Sequence, residues 1–97
     1  MAVIETHTFR LAESADVGQF LDADKRLQTA LMLQKPTFLR RTTARSGDGE
    51  WVVIVLWRSE ADADTANGRF DDHPARAAFM TFVDEATATS RRYETLD

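Results

Sequence analysis

The chain has 97 residues, of which 43% are hydrophobic and 29% charged, with a formal net charge of -4 and a pI near 5.1. Twelve basic residues against sixteen acidic ones leave no dense basic face to neutralise phosphates, so no nucleic-acid partner is expected. Cysteine is absent, which removes disulfides, thiolate nucleophiles and zinc–thiolate sites together.

No run of about 18 apolar residues exists to span a membrane. The opening MAVIETHTFR lacks the basic and apolar regions of a signal peptide, so a cytoplasmic protein is expected. No repeat or linker divides the sequence, and residues 1–97 read as a single domain of a size that often gains burial by pairing.

Val3 to Leu11 mixes β-branched and aromatic residues and reads as a first strand. Ser14 is the expected N-cap of a helix, with Asp16 in its first turn. That helix is expected to run to about Leu33 before Pro36 stops it. Val17, Phe20, Leu21, Leu27 and Leu31 fall on one stripe at helical spacing. Thr37 to Arg45 and Trp51 to Arg58 read as two strands joined by the turn Ser46-Gly47-Asp48-Gly49. Ser59 is expected to cap a second helix ending near Phe70. Asp71, Asp72, His73 and Pro74 form the start signal of a third helix, whose apolar face is Ala75, Ala78, Phe79, Phe82 and Val83. Glu85 to Tyr93 reads as the last strand.

The order β-α-β-β-α-α-β predicts an α+β ferredoxin-like monomer: a four-stranded antiparallel sheet with its helices on one face. In the third strand Trp51, Val53, Val55 and Trp57 point one way, and Val52, Ile54 and Leu56 the other. A strand apolar on both sides is covered on both sides. Right-handed crossovers place all the helices on one face. The other face therefore calls for a second copy of the chain in a two-fold contact, a homodimer joined through the sheet face.

Several residues suit chemistry. Asp24 falls near the centre of the apolar arc of the first helix, with Gln28 beside it. A carboxylate there needs either an ion pair with an inward arginine or a polar pocket near His7, where it would act as an acid–base group. His7 shares a face with Val3, Phe9 and Leu11. It reads either as a half-buried histidine with one hydrogen bond or as a general base. Trp51 and Trp57 share a face, as core or as a stacking wall for a flat ligand. Arg40-Arg41 and Arg91-Arg92 each send one guanidinium to each side of the sheet. Arg41 and Arg91 are the candidates to clamp an anionic oxygen, the alternative being exposed charge or ion pairing. Tyr93 reads as a dimer-edge residue or a proton donor. His73 with Asp71 and Asp72 reads as helix capping rather than a metal site, so no metal and no cofactor is expected. No nucleophile–base pair is visible in the sequence.

The stretch Gln34-Lys35-Pro36-Thr37-Phe38-Leu39-Arg40-Arg41 resembles the helix-to-strand junction of the antibiotic-biosynthesis monooxygenase-like family, with Thr37 in place of the usual glycine. Asp48-Gly49-Glu50-Trp51, Leu56-Trp57-Arg58-Ser59-Glu60-Ala61 and the segment from His73-Pro74-Ala75 to Val83-Asp84 continue the resemblance. It implies a dimeric α/β barrel, in a family that includes cofactor-independent oxygenases, haem-degrading enzymes and proteins with no known activity. The haem-degrading pattern does not carry over. Asn67, the only asparagine, lies on the second helix, both tryptophans lie on the third strand, and His73 opens the third helix rather than lying within it. Two functional expectations follow. One is a cofactor-independent oxygenase or isomerase acting on a small aromatic or enolisable metabolite in a pocket between the first helix and the sheet. The other is a non-catalytic dimer that binds a metabolite or a partner protein.

Overall fold

The computed structural model describes residues 1–33 and 38–96. The elements follow the expected order: β1 (Val3–Leu11), α1 (Val17–Met32), β2 (Phe38–Arg45), β3 (Trp51–Trp57), α2 (Glu60–Phe70), α3 (Pro74–Met80) and β4 (Val83–Glu94). The sheet runs β2-β3-β1-β4 with every neighbouring pair antiparallel. This is the ferredoxin-like α+β fold, in which two split crossovers carry the helices on one face. The proposed stop at Pro36 and the strand start at Thr37 lie outside the described residues.

Register decides which side chains meet. Val3 pairs with Trp57, Glu5 with Val55, His7 with Val53 and Phe9 with Trp51. Directly opposed residues of an antiparallel pair share a face, so these eight side chains all point toward the helices. Across the other edge of β1, Glu5 pairs with Arg92 and His7 with Ser90. On β2, Arg41 pairs with Val55. The alternate set faces away. Ile4, Val52 and Leu56 are only half-buried there, while Ile54 is 39% and Tyr93 48% exposed.

The core lies between sheet and helices. Phe20 is fully buried and meets Trp51 at 5.0 Å and Phe9 at 5.9 Å between ring centroids, both edge-on. Edge-to-face rings of this kind add about 1 kcal/mol per pair beyond their buried area. The β2–β3 turn is closed by a hydrogen bond from the Ser46 amide to the Glu50 carbonyl at 2.8 Å. Gly49 takes the left-handed φ of 92° that the turn requires.

Three local expectations are corrected. Asp16, not Ser14, caps α1: its carboxylate accepts from the Gln19 amide at 2.9 Å. Ser14 is occupied in a turn closed by Ala15 N–H to Ala12 C=O. The buried arc of α1 is Phe20, Ala23, Asp24, Leu27 and Leu31, while Val17 and Leu21 sit on its rim at 37% and 38% exposure. Helix α3 ends at Met80, because the Thr81 hydroxyl donates to the Ala78 carbonyl at 2.6 Å and the chain turns. Phe82 and Val83 therefore leave the helix, and Val83 opens β4 opposite Leu11. No helix among the described residues is long and apolar enough to cross a membrane.

Candidate functional site

Between the sheet and the helices lies a half-enclosed cavity of about 400 Å³. Its apolar walls are Val53, Val55 and Trp57 from β3, Leu27 and Leu31 from α1, and Phe70 and Phe79 from α2 and α3. Its polar groups include Glu5, His7, Ser90, Arg41, Asn67 and Arg76. An apolar chamber with few polar groups is the usual form of a small-molecule site. A more open hollow of about 640 Å³ where α3 meets β4 presents the carboxylates of Glu13, Asp84 and Glu85 and no base or cation.

Two charge clusters brace the cavity. In the first, Arg41 donates from Nη2 to Asp24 Oδ1 at 2.7 Å and from Nη1 to Gln28 Oε1 at 3.2 Å. Both charged partners are buried. Arg41 lines the cavity, while Asp24 stands behind it and fixes its fork.

The second cluster centres on Glu5, which the sequence reading did not single out. Glu5 Oε1 accepts from His7 Nε2 at 3.1 Å and from Trp57 Nε1 at 3.2 Å. Oε2 accepts from Arg92 Nε at 2.9 Å and from Asn67 Nδ2 at 3.2 Å. Burial alone would raise the Glu5 pKa. Hydrogen bonds from His7 and Arg92, the adjacent His7 charge and the Trp57 indole outweigh burial and hold it at about 2. Glu5 is therefore ionised and acts only as an acceptor, so His7 Nε2 carries a proton. The other ring nitrogen, Nδ1, lies 2.7 Å from the Ser90 hydroxyl. In the neutral imidazole Nδ1 is the basic atom and Ser90 donates to it.

Of the six residues expected to carry function, His7, Trp57 and Arg41 line this cavity, and Asp24 reaches it through Arg41. Trp51 does not reach it. Its ring packs on Phe20, with the Arg45 guanidinium 5.1 Å from its centroid. Arg91 does not reach it either. It pairs in register with Thr6 on the face away from the helices, and its neighbour Arg92 takes the inward position. His73 caps α3, its Nδ1 accepting from the Ala75 amide at 3.0 Å. Among the described residues no group of three or more His, Asp or Glu is arranged to hold a metal ion.

Glu5, Asn67, Ser90 and Arg76 were missed. Glu5 was readable, since a carboxylate at the same parity as Val3, His7 and Phe9 must point inward. Ser90 was not, because it meets His7 only through the pairing of strands at opposite ends of the chain.

No family profile and no curated protein matches the chain. Solved structures do. The chain superposes on SnoaB, a cofactor-independent oxygenase from Streptomyces nogalater, with a TM-score of 0.79 at 18% identity, covering 99% of this chain and 94% of that one. A structure of an antibiotic biosynthesis monooxygenase matches with a TM-score of 0.77 at 13% identity, covering 98% and 99% of the two chains. A dimeric ferredoxin-like protein of unknown function from Thermobifida fusca YX matches with a TM-score of 0.70 at 16% identity, covering 98% and 92%. At these identities the likeness is one of fold.

Proposed function

We propose that this chain is a cofactor-independent oxygenase acting on a small aromatic or enolisable metabolite, working as a homodimer paired through its open sheet face. The observation that carries the reading is the cavity itself, an apolar chamber on which a base, His7, and a fixed cation, Arg41, converge. A filled core with only a surface groove would have favoured a non-catalytic binding protein.

In this reading the acidic hydrogen of the substrate passes to His7 Nδ1, and the ionised Glu5 stabilises the resulting imidazolium through Nε2–H. The guanidinium of Arg41, held in place by Asp24 and Gln28, meets the developing enolate oxygen. The carbanion form of the substrate supplies the electrons to dioxygen. At a substrate methylene both C–H bonds break: one oxygen atom stays on that carbon as a carbonyl, and the other leaves as water with the two hydrogens, one of them returned by His7, so no external reductant is consumed. SnoaB, which is described as cofactor-independent, supports the choice of chemistry, and the dimeric Thermobifida fusca protein supports the assembly.

The test is oxygen uptake with enolisable aromatic ketones as probes. Uptake that falls about 100-fold or more in His7→Gln supports the reading. Tight binding of the same probes without oxygen uptake favours the non-catalytic binding protein instead.

A further inference from the structure

The contact between Ser90 and His7 permits a second chemistry that needs no oxygen. The Ser90 hydroxyl lies 2.7 Å from His7 Nδ1, and His7 Nε2 lies 3.1 Å from Glu5 Oε1. Both Ser90 and His7 line the cavity. A hydroxyl on a base, and the base on a buried carboxylate, is the arrangement that activates a serine nucleophile. The order of parts is serine, histidine, glutamate, with the imidazole turned so that Nδ1 rather than Nε2 faces the hydroxyl.

Ser90 is exposed and His7 half-buried, and the groups behind the imidazole are fixed. Glu5 is held by His7, Trp57, Asn67 and Arg92 together, so the imidazole rests against a fixed, ionised partner. Ser90 stands directly opposite His7 in the β1–β4 register, so backbone pairing fixes their approach. Arg76 lines the same cavity and has no ion-pair partner among the described residues, which leaves its charge available to an oxyanion.

We propose that Ser90, His7 and Glu5 form a nucleophilic relay that hydrolyses small apolar carboxylic esters bound in this cavity. Ser90 Oγ bonds to the ester carbonyl carbon while its proton moves to His7 Nδ1. Collapse of the tetrahedral adduct breaks the bond to the leaving oxygen, which takes that proton and departs as the alcohol, leaving an acyl-Ser90 ester. Water then attacks the acyl carbon, giving its proton to Nδ1. Release of Ser90 returns that proton to Oγ and frees the carboxylic acid. Ester and water become acid and alcohol, with no change of oxidation state. The Nε2 proton stays on the Glu5 side throughout.

The chain has four serines, so site-specific labelling discriminates sharply. Full-length protein treated with a fluorophosphonate should gain a single adduct by intact mass, and peptide mapping should place it on Ser90. Hydrolysis of p-nitrophenyl butyrate should show a burst of about one equivalent followed by slower turnover. Ser90→Ala should lose the adduct and the burst while keeping its melting temperature. His7→Gln should slow labelling about 100-fold with Ser90 intact. Arg76→Gln should lower kcat at least about tenfold if its charge meets the oxyanion. An adduct on Ser14, Ser46 or Ser59, no adduct at all, or unchanged hydrolysis in Ser90→Ala would overturn the relay. An unlabelled Ser90 together with His7-dependent oxygen uptake removes this chemistry and leaves the oxygenase reading. Labelling without oxygen uptake does the reverse.

Discussion

Asp24 and Arg41 are 17 residues apart in sequence and 2.7 Å apart in space, with almost no solvent around either charge. Breaking a buried pair strands the remaining charge, at a cost of about 3 kcal/mol or more. Asp24→Asn should therefore lower thermal stability markedly, and chemical denaturation would measure the loss. The double replacement Asp24→Leu with Arg41→Met removes both charges at similar volume and should recover most of that stability. If the single variant were as stable as the parent, the pair would not be buried as described. Glu5 makes a different prediction, about pH. Its folded pKa of about 2 lies below the ordinary 4.5. A lowered carboxylate stabilises the fold fully above its unfolded pKa and loses that contribution as pH falls through the folded value. The shift corresponds to about 3 kcal/mol, lost between pH 4.5 and 2. Unfolding titrations of the parent should steepen across that window, and Glu5→Gln should flatten them.

The elements were legible wherever local pattern decides them. The period-2 pattern of β3 and the Ser59 cap are as read, the cap accepting from the Asp62 amide at 3.1 Å. The apolar arc of α1 was wide enough to place Asp24 at its buried centre, although Val17 and Leu21 fall on the rim. Errors came where two signals overlapped. Phe82 and Val83 continue the helical spacing of α3 as well as they begin a strand, and only the pairing of Val83 with Leu11 decides between them. Arg91 and Arg92 could not be told apart, because a single-residue change of register exchanges their faces. Within the site, the charges within reach of helix periodicity were readable, while Ser90 and Arg92 needed long-range register. Helix α3 is short, and its start depends on a histidine acting as an acceptor. His73→Ala should cost about 1 kcal/mol and speed amide exchange at Ala75, and His73→Asn should restore most of both. Equal stability in all three proteins would show that the cap contributes nothing.

At the scale of the whole molecule the open sheet face carries the proposed pairing. Ile54 stands at its centre, flanked in register by Thr6 and Thr42 on the neighbouring strands. Light scattering at micromolar concentration should give about twice the 11.0 kDa chain mass. Ile54→Arg should give the monomer, because a two-fold contact brings that charge close to its own copy. A parent chain that is monomeric at every concentration would remove the paired-sheet assembly. The order of the strands also bears on how the chain reaches its native state. The β2–β3 hairpin closes over a few residues, but Glu5 meets Arg92 across 87 positions and His7 meets Ser90 across 83. Closing a long loop costs entropy before any contact repays it, so contacts of that span form late. Substitutions in the hairpin should therefore slow refolding, whereas substitutions in β4 should mainly speed unfolding. The cavity is then among the last features of the molecule to be assembled. A chain stalled before β4 docks has the β2–β3 hairpin but lacks the contacts of Arg92 with Glu5 and of Ser90 with His7.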